Sequence, residues 1–412
     1  MSSSGFTSEL RADVAIVGGG LSGLTMAHAL AVGGISVAVV DREDPVRAAQ
    51  ADFDGRTTAL ARACQRMYEA LGLWDLMEAA ACPILDIRVS DGGSRLFLHY
   101  DHEDVGDGPM GFIVENSAIR EALMDKLGDR GITHVAPANV AAVVADQGGV
   151  SVDLSDGRQI RAMLAIGADG KFSPTREAAG IRSTRLGYGQ SAVVCNVAHE
   201  LPHNNVAHER FLPSGPLALL PLNGGCSSVV WSERDAVARA LADMDEQTFN
   251  SELTHRFGDT LGALSLVGRR WCYPLSMSHA ERYVGDRLAL IADAAHAIHP
   301  IAGQGLNLGL RDIAVLAELL IEARGLGLDL GSAGLLQRYQ RARRFDVTTM
   351  VASMDLLTRL FSNDVPALRA ARRLGLGAVQ RMPRLKKLFM RHAMGTLGEL
   401  PSLLRGERPG AG

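Results

Sequence analysis

Cysteine is scarce and scattered in this 412-residue chain: Cys64, Cys82, Cys195, Cys226 and Cys272 are the whole set. No two are close in sequence, which excludes a CxxC zinc or redox pair, and their odd number argues against a secreted disulfide framework. The histidines are equally dispersed. His28, His134, His199, His203 and His208 form no HExxH and no paired His/Cys ligand set, so no metal centre is expected. A dominant charge is missing as well. The net charge of -4 argues against nucleic-acid binding over the whole surface.

Val14 to Val40 contains no Asp, Glu, Lys or Arg. The run is long enough to imitate a membrane span, and Gly19-x-x-x-Gly23 imitates a membrane dimer motif. Two features exclude that reading: glycines at 18, 19, 20, 23, 33 and 34 interrupt it, and its apolar residues fall into two β-rich bursts, Val14–Val17 and Val37–Val40. Met1 to Asp13 carries Glu9 and Asp13 against Arg11 alone, unlike a signal peptide. A cytoplasmic chain of two domains, or one domain with a large insertion, is expected.

What is present begins with a βαβ unit. Ala12–Val17 reads as a buried strand, Gly18-Gly19-Gly20-Leu21-Ser22-Gly23 satisfies GxGxxG, Leu24–Val32 reads as a helix, and Ile35–Val40 is a second strand ending at Asp41. Gly18 permits the tight turn, Gly20 lets a pyrophosphate approach the backbone, and Gly23 lets helix and strand lie close. Free N–H groups at the helix start face the phosphates. Asp41 is placed to accept hydrogen bonds from the adenosine ribose hydroxyls and to repel a 2′-phosphate, which favours FAD or NAD over NADP. No second unit follows, so one dinucleotide is held tightly and any other binds transiently.

Three later segments also mark turns. Leu164–Arg176 is an apolar strand leading into Ala168-Asp169-Gly170; a plain strand–turn–helix and a cofactor contact both fit it. Arg287–His296 is a strand whose Asp293 either holds ribityl hydroxyls or caps a helix. His299-Pro300-Ile301-Ala302-Gly303-Gln304-Gly305-Leu306-Asn307-Leu308-Gly309-Leu310-Arg311-Asp312 places three glycines, a proline and polar groups at the start of an apolar helix. Such a start offers backbone N–H donors and a positive dipole end.

The fingerprint, the Asp169-Gly170 turn, the Ala292-Asp293 strand end and the His299–Asp312 run occur in the order seen in class A flavin-dependent aromatic hydroxylases. His299 to Asp312 is similar to the signature of the ubiquinone-biosynthesis hydroxylase branch, and Gly55-Arg56-Thr57-Thr58-Ala59-Leu60 looks like the family's arginine segment. The resemblance spans residues 12 to 350. It implies an α/β fold: a Rossmann-like FAD-binding domain, an inserted and mostly antiparallel β-sheet substrate domain, and a C-terminal helical region. The implied boundaries are 1–81, 111–182 and 276–334 for the FAD-binding parts, 82–110 and 183–275 for the substrate parts, and 335–412 for the tail.

The implied activity is hydroxylation of a polyprenylated phenol through NADPH- or NADH-reduced FAD, O₂ and a flavin C4a-hydroperoxide. Implied catalytic residues are Arg56, His299, Pro300, Gly303 and Gln304. Implied cofactor contacts are Gly18, Gly20, Leu21, Ser22, Gly23, Asp41, Arg42, Arg56, Arg120, Asp169, Asp293, Pro300, Gly303, Gly305, Leu306 and Asn307. Arg56 also reads as a surface arginine, and Asn116 or Ser117 as a helix cap. His296 is expected to be a structural hydrogen-bond partner. The family usually has Gly-Asp where this chain has Ala292-Asp293, and alanine predicts a negative φ there.

Short strand-like runs at Ser94–Tyr100, Ser191–Val197, Leu217–Leu222 and Ser227–Trp231 supply the substrate sheet, with Phe211, Leu217, Leu219, Leu220 and Trp231 as either pocket or core residues. Residues 365–395 contain Arg369, Arg372, Arg373, Arg381, Arg384, Lys386, Lys387 and Arg391 and no Asp or Glu. Interleaved apolar residues make this a solvated helical face, a segment for an acidic partner, or one for an anionic bilayer, which would place the protein peripherally on the membrane's inner face, beside other ubiquinone-biosynthesis proteins. A hydroxylase of a small soluble phenol and a non-oxygenating flavin-binding assembly subunit stay open as alternatives.

Overall fold

The structure is a computed structural model. It describes residues 9–45, 55–92, 97–106, 108–298, 303–361, 372, 375 and 377–409. His299 and Pro300 lie outside the described residues.

Val14–Val17, Val37–Val40 and Leu164–Gly167 are strands buried at every position. Strands covered on both faces lose apolar/polar alternation, which explains their unbroken apolar runs. They form the centre of a six-stranded sheet ordered Val284–Gly285, Leu288–Leu290, Leu164–Gly167, Val14–Val17, Val37–Val40, Thr133–Val135. Every pairing is parallel except the Val284–Gly285 hairpin. The helices Leu21–Val32 and Gln304–Gly325 pack tightly together: a Cβ on Gly33 would meet Ile321 at 2.3 Å. In such a sheet ligands bind beyond the carboxyl ends of the strands. Gly18–Gly20, Asp41, Ala168–Gly170 and Ile291–Asp293 all follow such ends, so parallel pairing alone brings four distant segments together.

The second layer is an eight-stranded sheet ordered His296–Ala297, Leu264–Ala280, Ser183–His199, Cys226–Arg234, Gly215–Leu222, Val206–Leu212, Asp86–Asp91, Phe97–Asp101. It is antiparallel except between Val206–Leu212 and Asp86–Asp91. Its two faces have different partners. Val193, Leu217, Leu219, Val229 and Trp231 pack under Asp235–Asp243 and Glu246–Phe257, against Leu241, Phe249, Leu253 and Phe257. Leu217, Leu219 and Trp231 are therefore core, not pocket, residues. Strand alternation sends Leu220 and Phe211 to the opposite face. There Leu220 packs near Met390 and Met394, and Phe211 near Leu360 and Val379.

The C-terminal region thus lies across one face of this sheet. A buried Arg372–Asp91 pair at 3.0 Å and a Lys386–Asp104 pair at 2.6 Å tie it down. Two of the tail's basic residues are consumed by these internal contacts.

Candidate active site

The glycine turn is built as its spacing requires. Gly18 has φ +109, and a Cβ there would meet the Ala168 carbonyl oxygen at 2.4 Å. A Cβ on Gly23 would stand 1.9 Å from the Gly18 oxygen, so only glycine lets the helix start this close to the strand. Around a Cβ on Gly20 there is nothing within 4 Å, which leaves that side of the backbone open to a ligand. Asp41 closes the far end: its carboxylate lies against Gly19, where a Cβ would meet Oδ2 at 2.5 Å.

Beyond the turn runs a cleft of about 730 Å³. Gly20, Leu21, Ser22, Arg56, Arg120, Asp293, Gly303, Gly305 and Leu306 line it, with Thr57, Thr58, Gly170, Lys171 and Ser276. A second cavity of about 510 Å³ is lined by Asp41 and His134 and shares Glu43, Ser117 and Arg120 with the first. Together they form one elongated channel from Asp41 to Gly303. A separate cavity of about 480 Å³ near Val284 and Gly285 is lined by none of the predicted site residues.

Asp169 Oδ2 accepts a hydrogen bond from the Thr175 N–H at 2.9 Å, while its buried Oδ1 has no partner. A buried acceptor left unmatched calls for a ligand donor. This free oxygen, the open Gly20 and Asp41 make a donor–acceptor set that fits a dinucleotide.

Gly303 caps the Gln304–Gly325 helix with φ +62, its Cβ position 2.9 Å from the Ala59 Cβ. Asn307 is buried; its Oδ1 accepts from the Ala61 N–H at 2.8 Å, and its Nδ2 donates to the Ala59 oxygen at 2.7 Å. The amide is thus spent on fixing the arginine segment to this helix. Gln304 is buried in the first turn and Gly23 lies inside the fold, so these three position the cleft without lining it. Arg42 is exposed beyond Asp41 and lines neither cavity.

Ala292 departs from expectation. Its φ is +51, a left-handed value that alanine rarely adopts, rather than a negative one. Asp312 imposes it. This completely buried carboxylate accepts the Ala292 N–H at 2.9 Å, His296 Nε2 at 2.6 Å and Arg343 Nε at 2.7 Å. Burial alone would raise the Asp312 carboxyl, but His296 and Arg343 outweigh it and hold it below the ordinary range. The turn carries Asp293 into the cleft, where the side chain is exposed. Surrounding protein raises the Asp293 carboxyl against the pull of His296, Lys171 and Arg56. Ala292→Gly should therefore be tolerated: it relieves about 1 kcal/mol of left-handed strain and adds comparable chain entropy. Thermal melting within a few degrees of wild type, with the cofactor retained, is the expected result.

The FAD binding domain family matches residues 11–353. The chain belongs to this FAD-binding family. It is 53% identical over 399 residues to the ubiquinone hydroxylase UbiL of Rhodospirillum rubrum, covering 96% of this chain and 93% of that protein. It is 34% identical over 385 residues to the 3-demethoxyubiquinol 3-hydroxylase of Escherichia coli, covering 93% and 98%. The crystal structure of p-nitrophenol 4-monooxygenase PnpA from Pseudomonas putida is similar in fold, with a TM-score of 0.78 at 20% identity, over 94% of this chain and 98% of that one.

Several residues of this flavoprotein's cleft carried no role in the sequence reading. Lys171 reaches across to the long Leu264–Ala280 strand and donates to the Ser276 carbonyl at 3.0 Å and to its hydroxyl. Gly55 has φ +76, and a Cβ there would strike the Trp271 ring at 2.3 Å, so only glycine lets Arg56 approach the cleft at this point. His296 was expected to be a structural partner, and its bond to Asp312 agrees. The Asp312–Arg343 pair had no sequence signal, because residues 31 apart meet only through the packing of two helices.

Proposed function

We propose that this flavoprotein is a monooxygenase that hydroxylates the aromatic ring of a polyprenylated phenol on the route to ubiquinone, using NADPH or NADH and O₂. The relatives named above act in that series by their names. The observation that carries the reading for this chain is the apolar sheet face beside the cleft, where Ala207, Leu220, Leu222 and Phe211 meet the C-terminal region. Bound FAD supplies the redox and oxygen-transfer chemistry.

The protein's own groups bind and shield. The glycine turn and Asp41 take the adenosine end, Asp169 and Asp293 accept hydrogen bonds from hydroxyls, and Arg56 and Arg120 bring positive charge to the cleft. The first turn of the Gln304–Gly325 helix presents N–H groups beside Gly303 and Gly305, favouring developing negative charge. The apolar sheet face keeps water from the reacting ring. Incubation with NAD(P)H and a short-chain prenylated phenol should yield a product heavier by one oxygen, whereas NAD(P)H oxidation without such product would favour the non-oxygenating alternative.

The reading extends to where the substrate is met. Among the described residues no helix is long and apolar enough to cross a membrane. The helix Pro383–Ala393 buries Met390 against the sheet and exposes Arg384, Lys387, Leu388, Phe389 and Arg391. A docked helix with an exposed basic and apolar side suits an anionic bilayer surface. Each basic residue near such a surface contributes about 1 kcal/mol, so Arg384→Glu with Lys387→Glu should weaken vesicle association by about tenfold or more. Sedimentation with phosphatidylserine-containing vesicles checks this; unchanged pelleting removes the membrane role for this helix.

A further inference from the structure

One acid on the substrate-side face of the eight-stranded sheet is satisfied by nothing around it. Its neighbours in sequence, His208 and Arg210, both turn to the far face and stack on Phe257, with ring and guanidinium 5.3 Å from it. Alternation along the strand therefore turns Glu209 the other way. The strand registers place it in one lateral row, Val89–Glu209–Ala218–Val230–Val194–Trp271. Trp271, at the end of that row, abuts Gly55 next to Arg56. On the same face Ser228 accepts a hydrogen bond from Thr57, a cleft residue, at 3.2 Å. Glu209 is two strands across from Ser228 and two residues along, so strand geometry separates their Cα positions by roughly 12 Å. A glutamate side chain and one aromatic ring laid end to end would span that distance.

The surroundings of this carboxyl are apolar. Val89 and Ala218 flank it across the strands, and Ala207 and Phe211 flank it along its own. Leu360, Val379 and Met390 cover that pair of residues from the C-terminal region. Among the described residues the Glu209 carboxylate makes no hydrogen bond and no ion pair. Burial pushes it up to about 7. Other polar groups on this face include Ser228, the Asp91–Arg372 pair and the Tyr100 hydroxyl. Glu209 is half-buried, and an unmatched acid held in an apolar wall opposes folding. Such a group is tolerated where a ligand brings the missing donor.

We propose that Glu209 is the group that recognises the substrate's phenol, its carboxylate accepting a hydrogen bond from the ring hydroxyl and so orienting the ring between the sheet and the cleft. The inference rests on the prenylated-phenol reading above and names the residue that reads the phenol. A carboxylate only accepts and a phenol hydroxyl donates, so the pair is matched in polarity. The same hydrogen bond enriches the ring in electrons, which favours attack on an electrophilic oxygen. No proton need leave the substrate for this orientation to hold.

The test uses the FAD-loaded protein without reductant, titrated with a short-chain prenylated phenol and with its methyl ether, which has no donor. Binding is followed by the change in flavin fluorescence. Wild type should prefer the phenol. Glu209→Leu should weaken phenol binding by about tenfold or more and leave the ether unchanged, as loss of one hydrogen bond to a charged group predicts. Glu209→Gln, which keeps an acceptor, should fall between the two. FAD content and melting temperature are measured alongside, and the leucine variant should melt no lower than wild type. Phenol binding that survives Glu209→Leu, or phenol and ether affinities that fall together, would overturn the inference while leaving the substrate reading intact. Wild-type protein that binds neither compound contradicts the substrate reading and the inference with it.

Discussion

Asp293→Ala should purify folded but with its FAD affinity lowered about tenfold to a hundredfold. Removing a hydrogen bond to a charged acceptor weakens binding by about 1.5–3 kcal/mol, which converts to that range. The fold should survive because the Asp293 side chain is exposed to the cleft, while the turn around it is held by Asp312 through the Ala292 N–H. The ratio of flavin to protein absorbance after gel filtration checks the prediction, with melting temperature as the folding control. A variant as yellow as wild type after extensive dialysis would remove Asp293 from the cofactor contacts.

The second large effect falls on stability. Asp312→Ala leaves the buried Arg343 guanidinium with Asp346 as its remaining carboxylate partner and takes the acceptor from the Ala292 N–H and His296 Nε2. Breaking a buried pair from one side costs about 3–5 kcal/mol, and the retained Asp346 contact puts the expected loss at the low end of that range. FAD retention should fall too, since the left-handed turn that presents Asp293 loses its anchor. Asp312→Asn keeps the shape and one acceptor, so it should lose less. The pH dependence has a definite sign. The folded state holds this carboxyl below the ordinary value of about 3.9. Its contribution is complete above about pH 4 and is lost as pH falls through the lower folded value, so the gap between wild type and Asp312→Asn narrows in acid. Urea unfolding at neutral and acid pH measures this. A neutral-pH loss under about 1 kcal/mol for the alanine variant would show that the network is not a keystone of the site.

The nucleotide half of the site was legible because its chemistry is written in local spacing. A buried strand, three glycines and a terminal acid force one geometry, and Gly18, Gly20, Gly23 and Asp41 take the positions that spacing demands. Gly303 likewise read correctly as a helix start. The sheet of the substrate region was legible as strands but not as faces. Leu217 and Leu220 look alike in sequence, yet one lies beneath two helices and the other toward the C-terminal region. Which face a residue takes depends on pairing partners distant in sequence, such as Val193 with Trp231 or Asp86 with Val206. Ala292 was misread because propensity predicts negative φ, whereas a distant carboxylate decides its conformation. Asn307 was expected at the cofactor but serves the backbone of the arginine segment, a task visible only once Thr57–Ala61 and Gln304–Gly325 are packed together.

The tail shows the same division. Its run of bases is obvious in sequence, but Arg372 and Lys386 turn inward to Asp91 and Asp104. Within 365–395, Arg381, Arg384, Lys387 and Arg391 are the exposed ones among the described bases. A count of charge therefore overstates what a membrane would meet, and the tail also closes one side of the apolar sheet face.

The most direct test of the central claim is oxygen labelling: purified protein, NAD(P)H, isotopically heavy dioxygen and a short-chain prenylated phenol, with the product read by mass spectrometry. The predicted result is a ring-hydroxylated phenol carrying one heavy oxygen atom. A product whose new oxygen is unlabelled, or consumption of NAD(P)H and dioxygen with the phenol unchanged, would contradict the account.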